Sequence, residues 1–180
     1  LGRAINLDDR LKSPGLTAAS EGEDVLAIHI SSGLSGTATT AQGAAARTEN
    51  GRVTVFDSLT LSGGQRFQVL TAIKAIRAGW SLERILERLD ALRKATEVVF
   101  TLETLTYLQR GGRIGRVQAL AGSLLNLKPV IHVNRADGKY DTVGRARGIK
   151  RAIEDLARHL AGLYPKETPV WVSVMHGQAE

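Results

Sequence analysis

Asp24–Ile30 (DVLAIHI) is a short apolar run rich in branched residues. It leads directly into Ser31-Ser32-Gly33-Leu34-Ser35-Gly36-Thr37, a loop of hydroxyls and glycines, and then into the Ala-rich stretch Gly36–Arg47. The same order returns at Arg52–Phe56 (RVTVF), which runs into Asp57-Ser58-Leu59-Thr60-Leu61-Ser62-Gly63-Gly64 and a helical pattern over Gln65–Ala78. A strand, a helix and a second strand in succession return the chain in its original direction, because the connection is far too long for a hairpin. The chain is therefore expected to be an α/β protein with a mostly parallel sheet flanked by helices.

The helices carry their own punctuation. Phe67, Leu70, Ile73 and Ile76 recur at helical spacing, and Gly79 is placed to end that helix. Ser81 is an N-cap for the next, where Leu82, Ile85, Leu86, Leu89 and Leu92 form one apolar stripe through residues 82–94. Thr96–Leu102 (TEVVFTL) returns to strand character and is expected to extend the same sheet.

The rhythm then changes. Leu102–Leu108 reads as a short helical turn ended by Gly111-Gly112, and Val117–Leu125 as a small helix. Leu127–Val133 and Lys139–Val143 flank Ala136-Asp137-Gly138, a turn signal that predicts an antiparallel hairpin. Arg147–Leu163 is a basic amphipathic helix with Ile149, Ile153, Leu156, Leu160 and Leu163 on one face, and Val170–Met175 reads as a last strand. Two lobes are expected: residues 1–105, a parallel α/β lobe incomplete at its N-terminal part, and residues 106–180, a second α/β lobe with the hairpin, incomplete at its C-terminal part.

Charge narrows the function classes. The net charge is +6, and 17 of the 24 basic residues are Arg. Between Arg110 and Arg158 eleven basic residues face four acidic ones, so the basic character is local. Such a block suits phosphates, an anionic membrane surface or an acidic partner, and equally a solvated face. Nucleic acid is not expected, since only Tyr107 and Tyr140 interleave with these Arg residues and no groove-reading motif is present. The absence of cysteine excludes disulfides, thiolate metal sites and thiol nucleophiles, and fits a cytoplasmic protein. No run of about 18 apolar residues occurs.

At the carboxyl edge of a parallel sheet, a strand-to-helix loop presents free N–H groups and the positive end of a helix dipole. The four hydroxyls of Ser31–Thr37 therefore suit an anionic oxygen, while the same residues would also serve as a capped turn. The loop lacks the lysine of a phosphate-binding GxxxxGK[ST] motif and the spacing of GxGxxG, so nucleotide is disfavoured. Asp57 has no second acid at a recognisable spacing and is read as a loop-bonding residue. His29 is read as a satisfied structural histidine. His29, His132, His159 and His176 are far apart with no paired spacing, so no metal site is expected. Tyr107–Gly115 is a Gly-hinged turn carrying Arg110 and Arg113.

Taken together, IHISSGLSGT (28–37), VFDSLTLSGG (55–64), LTYLQRGGRIG (105–115), LAGSLLNLKPVI (120–131) and GRARGIKRAIEDL (144–156) resemble, in order and spacing, the DegV family of bacterial fatty-acid-binding proteins from about Glu21 onward. The resemblance implies a two-lobed protein that is not itself an enzyme and needs no cofactor. It would hold one long-chain fatty acid between its lobes and present the carboxylate to a separate ATP-dependent fatty acid kinase subunit, which makes an acyl phosphate for phospholipid synthesis. The family's carboxylate-contacting serine falls on Ser32, with Ser31, Ser35 and Thr37 as the loop's other hydroxyls. Arg113 and Arg147 match positions associated with docking to the partner or, transiently, to a membrane surface. The family's TDS strand, TSQPS loop and HxGPG segment have no counterpart here, and residues 1–20 resemble compressed pieces of the first lobe. The alternative is an enzyme acting on a small phosphorylated or carboxylated metabolite through Asp57 and the serine loop.

Overall fold

The computed structural model describes residues 24–48, 52–120 and 127–177 of the 180-residue chain. The expected remnants of the first lobe in residues 1–20 and the middle of the LAGSLLNLKPVI segment lie outside the described residues. Contacts divide the chain into two compact units: the residues up to Thr96 with Arg135–Gly138, and Glu97–Asn134 with the residues from Lys139 onward. The sequence pattern placed this division at residue 105.

In the first unit, β1 (Val25–His29) and β2 (Val53–Asp57) pair in parallel, from Val25 opposite Val53 to His29 opposite Asp57. Helix α1 (Thr37–Ala45) packs on this pair, with Ala38 and Ala41 buried; their small side chains permit the close approach. Helices α2 (Ser62–Arg77) and α3 (Leu82–Ala95) pack together over a core of Phe56, Ala72, Ala75, Ile85 and Leu89, joined by Leu26 and Ile28 of β1. α2 ends where Gly79, at φ 72°, adopts the left-handed conformation. Its N–H donates to Ile76 O at 3.0 Å and that of Trp80 to Ala75 O at 3.1 Å, a pairing that satisfies the last carbonyls of the helix. Ser81 then caps α3 by accepting from the Arg84 N–H at 3.4 Å, as its position before the apolar stripe predicts.

The second unit is built on a three-stranded antiparallel sheet in the order β3 (Val99–Thr101), β4 (Leu127–Val133), β5 (Tyr140–Arg147). β3 therefore does not extend the parallel sheet: Val99 pairs with His132 and Thr101 with Val130, which moves the division of the chain to Thr96/Glu97. An apolar run of this length matches a buried strand of either sense, and only its partner decides. The predicted β4–β5 hairpin forms, with a register shift at Val130/Ile131 beside Pro129, where a ladder N–H is missing. Helix α5 (Ile149–Leu163) packs on all three strands through Ala152 and Leu156, against Val130, Ala146, Val99 and Val143.

Two shorter elements connect β3 to β4. Helix α4 (Thr106–Arg110) closes with the Arg113 N–H on Leu108 O and the Gly112 N–H on Gln109 O, both at 3.0 Å, with Gly112 at φ 69°. The Gly-Gly pair is thus a helix terminator, and a 3-10 turn follows over Gly115–Leu120. The expected strand at Val170–Met175 does not form, and Val172 and Val174 are 70% and 87% exposed. Apolar alternation supplies a face but not a hydrogen-bonding partner.

Candidate functional site

Parallel pairing delivers the loops after β1 and β2 to one edge of the first unit, and their backbones cross-link there. The Ser58 N–H donates to His29 O at 3.1 Å, and the Ser31 N–H to Thr60 O at 2.8 Å. Asp57 ties the two loops through one oxygen: Oδ1 accepts from the Ser32 N–H at 3.2 Å and the Leu59 N–H at 3.0 Å. Asp57 is therefore a loop-bonding residue, the reading favoured by its sequence context.

The hydroxyls of the serine loop have different fates. Ser31 is fully buried; its Oγ donates to Gly138 O at 2.8 Å and accepts from the Gly33 N–H at 3.1 Å. A serine has one hydroxyl hydrogen and a carboxylate can only accept, so Ser31 has no donor left for an acid. In this structure it supports the loop from beneath. Ser32 is exposed, its backbone is pinned by Asp57, and among the described residues nothing engages its hydroxyl. Ser35 Oγ and Thr37 Oγ1 share one hydrogen bond at 2.7 Å, and Ser35 Oγ also accepts from the Thr37 N–H at 3.3 Å. Between them one hydroxyl hydrogen remains to donate.

Both helices that start at this edge lack a side-chain cap and an acidic residue in the first turn: α1 begins at Gly36 and α2 at Leu61. Their first-turn backbone and dipoles favour negative charge. Leu59 and Ser62 hold φ of 48°, a left-handed conformation that costs a bulky residue such as Leu about 1–3 kcal/mol. The surrounding bonds impose it.

Sequence reasoning missed the residues that brace this edge. Gln65 Nε2 donates to Ile28 O and Gln68 Nε2 to Ser58 O, both at 3.1 Å, while Arg93 of α3 donates to Asp57 O at 3.1 Å. Two glutamines three residues apart, one turn after a polar loop, were the available signal. Gly138, noted only as a turn residue, is at φ 65°, and a Cβ there would lie 1.9 Å from Ser31 Oγ. His29 is buried and its Nε2 has no hydrogen-bond partner among the described residues, so it is not the satisfied histidine expected from the sequence. Burial pushes its pKa below 6.5, against the opposing pull of Asp57.

The docking candidates lie in the second unit. Arg113 is exposed beyond the Gly112 turn, with its guanidinium turned back to Gly111 O. Arg147 is exposed as the last residue of β5 rather than the first of α5, because Gly148, at φ 89°, makes the break.

A family model described as "Uncharacterised protein, DegV family" matches residues 15–180. The chain belongs to the DegV family. It is 46% identical over 161 residues to a DegV domain-containing protein of Deinococcus radiodurans, a match covering 89% of this chain and 55% of that one. A Thermus thermophilus DegV family protein, described by its fatty acid binding, has a similar structure with a TM-score of 0.73 at 42% identity, covering 81% of this chain and 51% of that one. A stearic-acid-binding protein of Eubacterium ventriosum aligns with a TM-score of 0.75 at 26% identity, covering 83% and 52%. This DegV chain thus spans about half the length of the relatives it matches. No helix among its described residues is long and apolar enough to cross a membrane.

Proposed function

We propose that this chain forms part of a long-chain fatty-acid-binding protein in which Ser32 donates its hydroxyl to the carboxylate. The observation that carries this reading is the contrast at the serine loop: of two adjacent serines, one is buried and spent, and the other is exposed with its backbone fixed and its hydroxyl unengaged. Two uncapped helix N-termini at the same edge add positive potential, and Ser35 and Thr37 supply one further donor. The fatty acid binding described for the Thermus thermophilus relative supports the choice of ligand. The protein acts as a cytoplasmic binding subunit that hands the acid to an ATP-dependent kinase subunit, with Arg113 and Arg147 meeting that partner or, transiently, a membrane surface.

Each buried CH₂ contributes about 0.8 kcal/mol, so a chain of roughly 14–18 carbons supplies the affinity while the hydroxyls orient the head group. Protein purified from bacteria and extracted should yield such an acid by mass spectrometry. Ser32→Ala should weaken fatty-acid binding about ten- to a hundredfold, the loss of one hydrogen bond to a charged group. Delipidated wild-type protein that ignores fatty acids would overturn the reading.

A further inference from the structure

His132 and His159 are remote in sequence from one another and from Glu97, yet the fold of the second unit gathers all three. Val99 pairs with His132 and the Val133 N–H donates to Val98 O, which sets Glu97 beside the end of β4. Ala152, Leu156 and His159 follow at helical spacing, so the helix face that packs on the sheet also turns His159 toward it. The Glu97 side chain is 2% exposed, with Oε1 2.9 Å from His132 Nδ1 and 3.5 Å from His159 Nε2. The three candidate ligand atoms lie within 4.8 Å of one another, and the two imidazoles keep side-chain exposures of 22% and 26%.

A carboxylate this deeply buried needs compensation. The two imidazoles lie on the same side of that compensation, one at a good N–H···O distance of 2.9 Å and the other at 3.5 Å, longer than a usual hydrogen bond. Ligand atoms bound tetrahedrally at 2.0–2.1 Å stand roughly 3.3 Å apart, between the two observed separations. We infer that Glu97, His132 and His159 form a binding site for a divalent transition-metal ion of the zinc class. Two imidazoles and one carboxylate provide three of four tetrahedral positions, and the partly exposed imidazole edge leaves the fourth to solvent. This proposal is independent of the fatty-acid reading, and its test does not involve lipid.

The full chain, stripped with chelator and titrated with Zn²⁺, should take up one equivalent and melt at a temperature that rises with free Zn²⁺, by mass action. Co²⁺ should show the visible absorption of a four-coordinate ion. His132→Gln, His159→Gln and Glu97→Gln should each weaken uptake by at least about tenfold, while His176→Gln, outside the cluster, should leave it unchanged. In the wild-type chain, nitrogen NMR should show Zn²⁺ perturbing His132 Nδ1 and His159 Nε2, a readout independent of how well the variants fold. The inference is overturned if stripped wild-type protein takes up no Zn²⁺ at roughly 100 μM, or if uptake survives both histidine substitutions. In either case Glu97 simply bridges two imidazoles by hydrogen bonding.

Discussion

Ser31 and Ser32 are identical residues one peptide apart at the start of a turn, and burial separates their roles. Ser31 faces inward and bonds the Gly138 carbonyl; Ser32 faces outward. Ser31→Ala removes the partner of a buried carbonyl and of the Gly33 N–H, and should cost about 1–3 kcal/mol in urea unfolding. Ser32→Ala should stay within about 0.5 kcal/mol of wild type in the same assay, so that its effect on lipid is not a folding defect. His29 makes a pH-dependent contribution. Burial lowers its folded-state pKa below 6.5, so between the two values the unfolded chain binds the proton more readily and unfolding gains as pH falls. The melting temperature should therefore fall as pH drops below about 6.5, and His29→Gln should flatten that part of the profile. A His29 resonance titrating at or above 6.5 would contradict this. The serine loop was legible from its strand–hydroxyl–helix order, but which hydroxyl kept its hydrogen was not, since the partner of Ser31 lies 107 residues away.

At the scale of elements, glycines do different work at different turns. Gly79 and Gly112 end helices in the left-handed conformation, as their places after apolar stripes and short turns predict. Gly138 has a second reason to be glycine, because a Cβ would meet Ser31 Oγ at 1.9 Å and Leu59 Cα at 3.1 Å. Gly138→Ala should therefore lower the melting temperature well beyond the cost of about 1–3 kcal/mol for its φ of 65° alone. Gly144→Ala is the control within the same hairpin: the nearest atom to its Cβ is 3.9 Å away, and its effect should be small. Equal effects from the two substitutions would remove the argument for a packed contact. The helices were read well because each carries its own period, cap and terminator. β3 and the Val170–Met175 segment were read less well, because a strand is completed only by a partner chosen elsewhere in the chain.

On the scale of the whole molecule, the proposed labour is divided between binding and handing over. Arg113 follows a helix-terminating turn and Arg147 ends an edge strand, both exposed and both in the basic part of the chain. Arg113→Ala and Arg147→Ala should keep near-normal fatty-acid affinity but slow kinase-dependent acyl phosphate formation, with a salt-sensitive defect that is largest at low salt and narrows as screening weakens the wild-type contact too. Loss of lipid binding in these variants, with Ser32→Ala silent, would reverse the assignment. The amino-acid sequence by itself determined the α/β class, the order of strands and helices, the hairpin turn and the polar loop at a strand end. Each of these is encoded within a few residues by apolar period, backbone freedom and local hydroxyl chemistry. Only the tertiary structure decided that β3 joins the antiparallel sheet, that Ser31 is consumed by Gly138 while Ser32 stays available, and that Glu97, His132 and His159 converge. Those outcomes depend on hydrogen-bond partners and burial supplied by residues far away in the chain, which no local pattern carries.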